Sequence, residues 1–434
     1  MLETPEAIRR LQRKLYLKAK QEPKCRFYTL YDKISRGDIL RQGYRLVKAQ
    51  GGAPGIDGED FAKIETKGVE AVLKELGELL QAKQYRAQPV KRVMIPKPRG
   101  GNRSLGIPTI RDRIVQMAVK LVIEPIFEAD FSDRSYGFRP KRSAHDAIGA
   151  VQEAMLTGHR QVIEADLSQY FDTIPHDKLM VLLSERIADG AMLALIKQWL
   201  KAPAVIEEKR KRRMAGGKKA SRGTPQGGVI SPLLSNIYLN LLDRIWDRRN
   251  LDKRLQARLV RYADDFVVLC RRDTERPQAW VRAILARMGL LLNPKKTGVC
   301  NTYQSGTEFL GFHFQMSKSR KDRWYPLVTP AKSSLTRIRQ RIKAITGRER
   351  GSIPLAEILG QLNMTVRGWV NYFHFMNCHQ AMCNIRHYVE ERTRIHLMRR
   401  HHIRNRESAY GRFPTRALYQ LYDLYKVPTT AGWT

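Results

Sequence analysis

The chain has 434 residues, 42% of them hydrophobic, which suits about two to four globular units and excludes a disordered protein. Its 79 Lys and Arg against 42 Asp and Glu give a net charge of +37 along the whole sequence, which predicts a polyanionic partner such as nucleic acid. No apolar run approaches the roughly 20 residues that cross a bilayer, and the five scattered Cys form no CxxC pair, so we expect a cytoplasmic or nucleoid protein without a membrane partner.

The N-terminal part of the sequence predicts helices followed by one pair of strands. Residues 1–50 have the pattern of basic helices, and another helix is predicted near 66–83. Alternating apolar residues from Val90, followed by the Pro and Gly residues of 96–101, predict two strands around a basic loop. Thr109 is a predicted N-cap, because apolar residues recur at helical spacing after it. These residues are Ile110, Ile114, Met117 and Leu121.

The middle of the sequence alternates short apolar strands with helices. QVIEADL (161–167) predicts a strand, a helical section is expected from 177 to about 200, and a turn passes into a helix after residue 222. Between them, residues 209–222 contain eight basic residues in fourteen. This run is interpreted either as a solvated loop or as an RNA contact.

Two adjacent carboxylates, Asp264 and Asp265, interrupt a predicted hairpin at 258–270. Asp is a poor strand former and is costly to bury unpaired, so this local conflict indicates a functional site. Asp166, at the end of VIEADL, is the candidate third carboxylate. Three carboxylates so placed could hold two Mg²⁺ ions about 4 Å apart and catalyse nucleotidyl transfer.

The composition changes after FLGFHF (309–314), and a domain boundary is predicted near 316–330. From residue 332 to 350 there are seven basic residues and one acid on a helical pattern. The predicted buried stripe of this helix is Leu335, Ile338, Ile342 and Ile345. The aromatic residues of GWVNYFHF (368–375) are interpreted as helix packing or, alternatively, as platforms for stacked bases. Residues 374–402 are rich in His and Cys but lack CxxC spacing, so we expect no metal there.

Seven motifs in order resemble the reverse transcriptase blocks of bacterial group II intron-encoded proteins, over roughly residues 40–400. They are IPKPRGGNRSLGIPTIRDRIVQ, YGFRPKRSAHDA, VIEADLSQYFDTIPHDKL, RGTPQGGVISPLLSNIYLN, RYADDFVVLC, LNPKKTG and FLGFHF. The resemblance implies an α+β right-hand polymerase with fingers, a palm with an antiparallel sheet and a helical thumb. The expected domains are a reverse transcriptase domain at 1–315, with a basic helical extension at 1–50, a thumb or maturase domain at 316–400, and a short basic unit at 401–434 without a nuclease.

The same resemblance assigns roles to single residues. Asp166, Asp264 and Asp265 become the catalytic, Mg²⁺-binding triad. Lys97 and Arg103 are expected to clamp the triphosphate, Phe171 to exclude a ribose 2′-hydroxyl, and Gln226 to lie against the sugar and base. Lys296 is the candidate acid for pyrophosphate, although Lys295 beside it leaves the register open. RNA binding is expected at Lys211, Arg212, Arg213, Arg337 and Arg341.

The implied function is RNA-directed DNA polymerisation by a protein that binds its parent intron RNA, assists splicing and supports mobility by target-primed reverse transcription. The implied partners are structured intron RNA, an RNA template with a DNA primer, and target DNA. Three alternatives stay open: a host-adopted relative in defence or DNA repair, a splicing-only maturase, and an RNA-dependent RNA polymerase. The intact triad argues against the second alternative, and Phe171 with the PQG block argues against the third.

Overall fold

The structure is a computed structural model and describes residues 3–96, 102–208, 211–217 and 219–432. The side chains of Arg103, Glu207, Glu208, Lys211, Arg212 and Arg213 lie outside that description. Contacts within the chain define two compact units. The first comprises Met1–Ser143, Ala165–Val268 and Glu275–Gly298, and the second comprises Ala144–Glu164, Leu269–Thr274 and Val299–Thr434. No helix in the described ranges is long and apolar enough to cross a membrane.

Helices are the most frequent element among the described residues. They are α1 (Glu6–Gln21), α2 (Tyr31–Ile34), α3 (Gly37–Gln50), α4 (Phe61–Lys67), α5 (Val69–Gln81), α6 (Ile110–Glu128), α7 (Ala144–Leu156), α8 (Tyr170–Thr173), α9 (His176–Ser184), α10 (Gly190–Leu200), α11 (Ser231–Arg248), α12 (Leu251–Leu255), α13 (Glu275–Met288), α14 (Lys332–Ile345), α15 (Leu355–Phe373), α16 (His379–Arg400), α17 (Arg406–Arg412) and α18 (Thr415–Gln420). The strands are β1 (Val90–Pro96), β2 (Asn102–Ile107), β3 (Gln161–Ala165), β4 (Pro203–Glu208), β5 (Lys211–Gly216), β6 (Ala257–Tyr262), β7 (Asp265–Cys270), β8 (Gly298–Asn301), β9 (Thr307–Phe309), β10 (Phe312–Lys318) and β11 (Trp324–Pro330).

Helix α6 lies at the centre of the first unit's helical core and packs against α1 and α3. The predicted N-cap is confirmed, because the Thr109 hydroxyl accepts a hydrogen bond from the Asp112 N–H at 3.1 Å. Pro125 lies inside this helix and cannot donate to the carbonyl four residues before it. That carbonyl, on Leu121, instead accepts a hydrogen bond from Gln12 Nε2 of α1 at 3.0 Å, so the helix continues without an unsatisfied buried acceptor.

A four-stranded sheet with the order β2-β1-β4-β5 lies in the first unit. The predicted pair β1 and β2 is confirmed as antiparallel, β1 pairs with β4 in parallel, and β4 pairs with β5 in antiparallel. The loop interpretation of 209–222 is wrong where the backbone is described, because 211–216 forms β5. Lys and Arg have low strand propensity, so this strand depends on its ladder with β4, a tertiary contact that local propensity does not reveal.

A second four-stranded sheet has the order β6-β7-β3-β8. The predicted strand-turn-strand at 258–270 is confirmed, since β6 ends at Tyr262 and β7 begins at Asp265. The predicted strand at 161–167 is confirmed as β3, which ends at Ala165. Asp166 therefore follows directly after a strand end.

The second unit contains an antiparallel sheet, β11-β10-β9, and a group of packed helices, α14, α15 and α16. The predicted stripe of α14 is confirmed, with Ile338, Ile342 and Ile345 buried and Leu335 half-buried. The packing interpretation of the aromatic residues is also confirmed: the Trp369 and Phe373 rings stack at 4.8 Å between centroids, and the Tyr372 hydroxyl donates to the Leu310 carbonyl at 2.9 Å. The predicted boundary at 316–330 falls within the β10 and β11 hairpin.

Candidate active site

The turn between β6 and β7 carries the two adjacent carboxylates. It contains only Ala263 and Asp264, so Asp264 lies at the tip and Asp265 begins β7. Ala263 has a φ of +58°, in the left-handed region that residues other than glycine rarely adopt. A type II′ hairpin turn requires a positive φ at this first turn position. The short turn and the buried strands on both sides therefore fix where the two carboxylates lie.

Gly137, from the YGFRP motif, lies directly against this turn. The Tyr136 N–H donates to the Arg261 carbonyl at 2.9 Å, which aligns the segment with β6. A Cβ on Gly137 would lie 2.3 Å from the Ala263 nitrogen, so a larger residue would displace one of the two segments. The YGFRP motif contributes to the family resemblance, but the sequence alone assigns no role to Gly137.

Asp166 is held by the LNPKKTG segment. The Asn293 N–H donates to the Asp166 carbonyl at 2.8 Å, and Asn293 Nδ2 donates to Asp166 Oδ2 at 3.2 Å. Lys296 Nζ forms an ion pair with the same carboxylate oxygen at 3.2 Å. This contact favours Lys296 over Lys295 as the lysine that lies at the site. The sequence predicted a role for the lysines of LNPKKTG but none for Asn293.

The three predicted triad residues interact electrostatically in the first unit. Asp264 is half-buried, while the side chain of Asp265 is exposed at the start of β7. The pKa of Asp265 is raised to about 6, mainly by desolvation and also by the negative charges of Asp264 and Asp166, while Lys296 acts in the opposite direction. Because the negative charges of Asp264 and Asp166 disfavour the ionised form of Asp265, a cation would be stabilised at this site.

The donor set therefore fits a divalent metal ion, because carboxylate oxygens are the ligands that Mg²⁺ prefers. Among the described residues, no group of three or more His, Cys, Asp or Glu side chains is close enough to hold a metal ion as it stands. Asp166 is engaged instead by Lys296 and Asn293. A metal ion at this site would compete with the Lys296 ammonium for the same oxygens.

The predicted nucleotide-binding residues are only partly within the described structure. Phe171 is half-buried, its ring meets Tyr170 edge-on at 5.5 Å, and its carbonyl accepts a hydrogen bond from the Thr224 N–H at 2.7 Å. The Gln226 carbonyl accepts from the Gly106 N–H of β2 at 2.6 Å, which joins the PQGG loop to the first sheet. Lys97 lies outside the described residues, and so does the side chain of Arg103.

The predicted RNA-binding residues fall into two groups. Arg337 and Arg341 are exposed, four residues apart on α14. The side chains of Lys211, Arg212 and Arg213 lie outside the described structure, although their backbone forms part of β5. Only the α14 pair can therefore be located as a basic surface.

Two protein-family models match the sequence. The reverse transcriptase (RNA-dependent DNA polymerase) model matches residues 95–314. The maturase-specific domain of group II introns matches residues 335–413. The first match contains the whole triad, and the second contains most of α14 and all of α15 and α16.

Several curated proteins are similar to this chain. Protein YkfC of Escherichia coli (strain K12) is 35% identical over 72% of this chain and 90% of its own length. The group II intron-encoded protein LtrA of Lactococcus lactis subsp. cremoris is 29% identical over 68% of this chain and 57% of its own length. An uncharacterized 91 kDa protein in the cob intron of Schizosaccharomyces pombe is 28% identical over 70% of this chain and 46% of its own length, so the chain spans about half of these last two relatives.

One solved structure, titled a partial Cas6-RT-Cas1--Cas2 complex, matches with a TM-score of 0.36 at 24% sequence identity. The match covers 60% of this chain and 41% of that one.

Proposed function

This chain belongs to the family of group II intron-encoded reverse transcriptases and maturases and is an RNA-directed DNA polymerase; on that premise we propose that Asp166, Asp264 and Asp265 form its polymerase site. One observation carries the assignment. Residues from two distant motifs lie close enough in the first unit for Asp264 and Asp166 to raise the pKa of Asp265. A carboxyl whose pKa is raised by desolvation together with specific charged neighbours marks a candidate functional site.

The cation at this site is Mg²⁺ in the proposal, held by Asp166 and Asp264, with Asp265 adding negative charge. When bound, such ions activate an attacking hydroxyl and neutralise the charge of the leaving pyrophosphate. The protein contributes the placement of the carboxylates: the two-residue turn holds Asp264, and Asn293 holds Asp166. The Lys296 ammonium pairs with the Asp166 carboxylate, so in this proposal it lies next to the place where phosphate charge would develop.

The incoming nucleotide is proposed to lie between the triad and the first sheet's β1 and β2 strands. Phe171 would exclude a ribose 2′-hydroxyl, because a phenyl ring offers that hydroxyl no hydrogen bond and little space. Gln226, Lys97 and Arg103 would contact the sugar, base and phosphates. The bond between the Gln226 carbonyl and the Gly106 N–H supports this grouping, because it links the PQGG loop to the strand that carries Arg103.

The helices matched by the maturase-specific model are proposed to bind the intron RNA through exposed basic residues such as Arg337 and Arg341. Phosphate contacts of this kind supply affinity without reading sequence. In the same proposal, residues 1–315 provide the fingers and palm, 316–400 the thumb, and 401–434 a short basic unit. Assistance to splicing and target-primed reverse transcription at a DNA site complete the proposed activity.

Primer extension on poly(rA) with an oligo(dT) primer and Mg²⁺ tests the polymerase site. We expect extension with dTTP, little with UTP, and none in an Asp264→Ala protein. Asp322→Asn is the matched control, since this exposed carboxylate pairs only with Lys318 in the described structure, on the β10 to β11 connection. Tight binding to structured RNA without any extension would favour the splicing-only maturase instead.

A further inference from the structure

A buried arginine supports the turn that carries the carboxylates. Arg261, in β6, is fully buried, and so is its ion-pair partner Asp243 in α11. Arg261 Nε lies 3.1 Å from each Asp243 carboxylate oxygen. Arg261 Nη1 donates to the Ala263 carbonyl at 2.9 Å and to Asn236 Oδ1 at 3.1 Å. One guanidinium therefore links the turn to helix α11.

The network continues to the loop on the other side of the turn. Asn236 Nδ2 donates to the Gly137 carbonyl at 2.8 Å. Gly137 in turn lies against Ala263, where a Cβ would come within 2.3 Å of its nitrogen. The left-handed Ala263 is thus held by Arg261 on its carbonyl and by the Gly137 backbone beside its nitrogen.

Helix α11 connects this network to the PQGG loop. The Ser231 hydroxyl, in its first turn, donates to the Pro225 carbonyl at 2.8 Å. The Ser235 carbonyl accepts from the Tyr170 hydroxyl at 2.7 Å, next to Phe171. The first turn of α11 therefore binds the PQGG loop. Further along the same helix, Asn236 and Asp243 bind Arg261, which supports the carboxylate turn.

We propose that Arg261 is a positioning residue that fixes the geometry of the Ala263–Asp264 turn through its bonds to the Ala263 carbonyl, Asn236 and Asp243. A buried ion pair adds little net stability, because the desolvation of both charges offsets their attraction. The guanidinium group of arginine is planar and rigid, so it can donate to several acceptors at fixed angles, which a lysine ammonium cannot do. This inference rests on the proposed function of the triad, although the first readout below does not require polymerase activity.

Two variants test the proposal against a matched control. Arg261→Lys keeps the positive charge that pairs with Asp243 but loses the planar guanidinium group and its several fixed donors. Asn236→Ala keeps the Arg261 and Asp243 pair and removes the link to the Gly137 carbonyl. The control is Arg186→Lys, because Arg186 is also a buried arginine of the first unit, and it binds the carbonyls of Ala19, Glu22, Pro23 and Cys25.

Amide hydrogen exchange at residues 263–266 without metal is the first readout, and Mn²⁺ binding by electron paramagnetic resonance is the second. We expect both test variants to exchange at least about tenfold faster at these amides. We also expect Mn²⁺ to bind about 10- to 100-fold more weakly, because this is the usual loss of metal affinity when a residue that orients the metal ligands is replaced. The Mg²⁺ concentration for half-maximal extension should rise in parallel, with the KM for dTTP changed less than about twofold.

Arg186→Lys should leave exchange at the turn and Mn²⁺ affinity unchanged, even if it lowers the melting temperature more than the test variants do. If Arg261→Lys does not fold, Asn236→Ala decides the question. Wild-type exchange at the turn and wild-type Mn²⁺ affinity in Arg261→Lys would overturn the proposal, and so would the same result in Asn236→Ala if Arg261→Lys does not fold. Absence of extension in the wild-type protein would count against the proposed function, while exchange and Mn²⁺ binding would still decide the role of Arg261.

Discussion

The carboxylate site of the first unit and helix α14 of the second unit use charge in different ways. The Asn293 N–H binds the Asp166 carbonyl, and the Asn293 and Lys296 side chains bind its carboxylate. Asp264 lies in a two-residue turn whose Ala263 carbonyl accepts a hydrogen bond from the buried Arg261 guanidinium. Arg337 and Arg341, in contrast, are exposed on α14. Arg337 donates hydrogen bonds within its own helix, to the Ser334 hydroxyl at 3.2 Å and to the Ser333 carbonyl at 3.4 Å.

This contrast separates chemistry from binding. Phosphoryl transfer depends on the placement of charges to within about 1 Å, so its residues must be held by several neighbours. Attraction to a nucleic-acid backbone acts over a distance of about 10 Å and sums over many charges, so its residues can stay mobile and individually replaceable. Single substitutions should therefore have large effects at the first site and small effects at the second.

The largest expected effect comes from Asp166→Asn. The amide keeps the size of the side chain but loses the charge that a divalent ion needs, so kcat for dTTP incorporation should fall by about 10³-fold or more, or about 4 kcal/mol in the barrier. Single-turnover extension measures this rate. Asp322→Asn makes the same change at a side chain that is 79% exposed and should change the rate less than about twofold. A similar loss of extension rate in Asp166→Asn and Asp322→Asn would mean that the rate does not depend specifically on the carboxylate site.

A smaller effect is expected from Phe171→Val, which changes selectivity rather than the rate with deoxynucleotides. Removing most of the ring opens space for a 2′-hydroxyl, and a change of this size in a pocket shifts discrimination by about 10- to 100-fold. The measurement is the ratio of kcat/KM for dTTP and UTP. Tyr170→Phe is the control, because it keeps the neighbouring ring and removes only the hydroxyl that donates to the Ser235 carbonyl. An unchanged ratio in Phe171→Val would assign this ring to packing alone.

The sequence was sufficient to single out the three carboxylates of the proposed site but not the residues that support them. Two Asp residues in an apolar strand conflict with local propensity, and that conflict is visible without a structure. Arg261 and Asp243 give no comparable signal, because charged residues are common in this chain and their burial depends on pairing between a strand and a helix. Gly137 is similarly inconspicuous, since the requirement for a missing Cβ exists only where Ala263 comes close.

Elements with strong local patterns were predictable for the same reason. Helix α6 has an N-cap and a helical apolar period, and α14 has a three-residue buried stripe, so local physics determines both. The basic run that contains β5 was interpreted either as a solvated loop or as an RNA contact. Its Lys and Arg residues do not favour a strand, and only its pairing with β4 explains its conformation.

Charge reversal on α14 tests the second half of the comparison. Arg337→Glu with Arg341→Glu should weaken binding to structured RNA by about tenfold at low salt. The slope of log affinity against log salt concentration should also become shallower by about two, because about two fewer counterions are released on binding. Extension on a short template should be unaffected. Filter binding over a range of salt concentrations measures both quantities. Reversal of Arg276 and Arg282, two exposed arginines on α13, is the control, and an equal loss there would mean that net charge, not α14, determines RNA affinity.

The smallest expected effect concerns the pH dependence of metal binding. The pKa of Asp265 is raised to about 6, so metal affinity should fall as the pH drops through this value and the carboxylate becomes protonated. Lys296 lowers that pKa, so Lys296→Met should move the midpoint of Mn²⁺ binding upward by a fraction of a pH unit. At pH 8 the same variant should bind Mn²⁺ at least as tightly as the wild type, because the ammonium no longer competes for Asp166. Lys295→Met, one residue away and exposed, should change neither quantity. Weaker binding in Lys296→Met at pH 8 would show that the ammonium supports the carboxylates instead of competing with the metal, and the first region would then depend on Lys296 for its geometry as well as its charge.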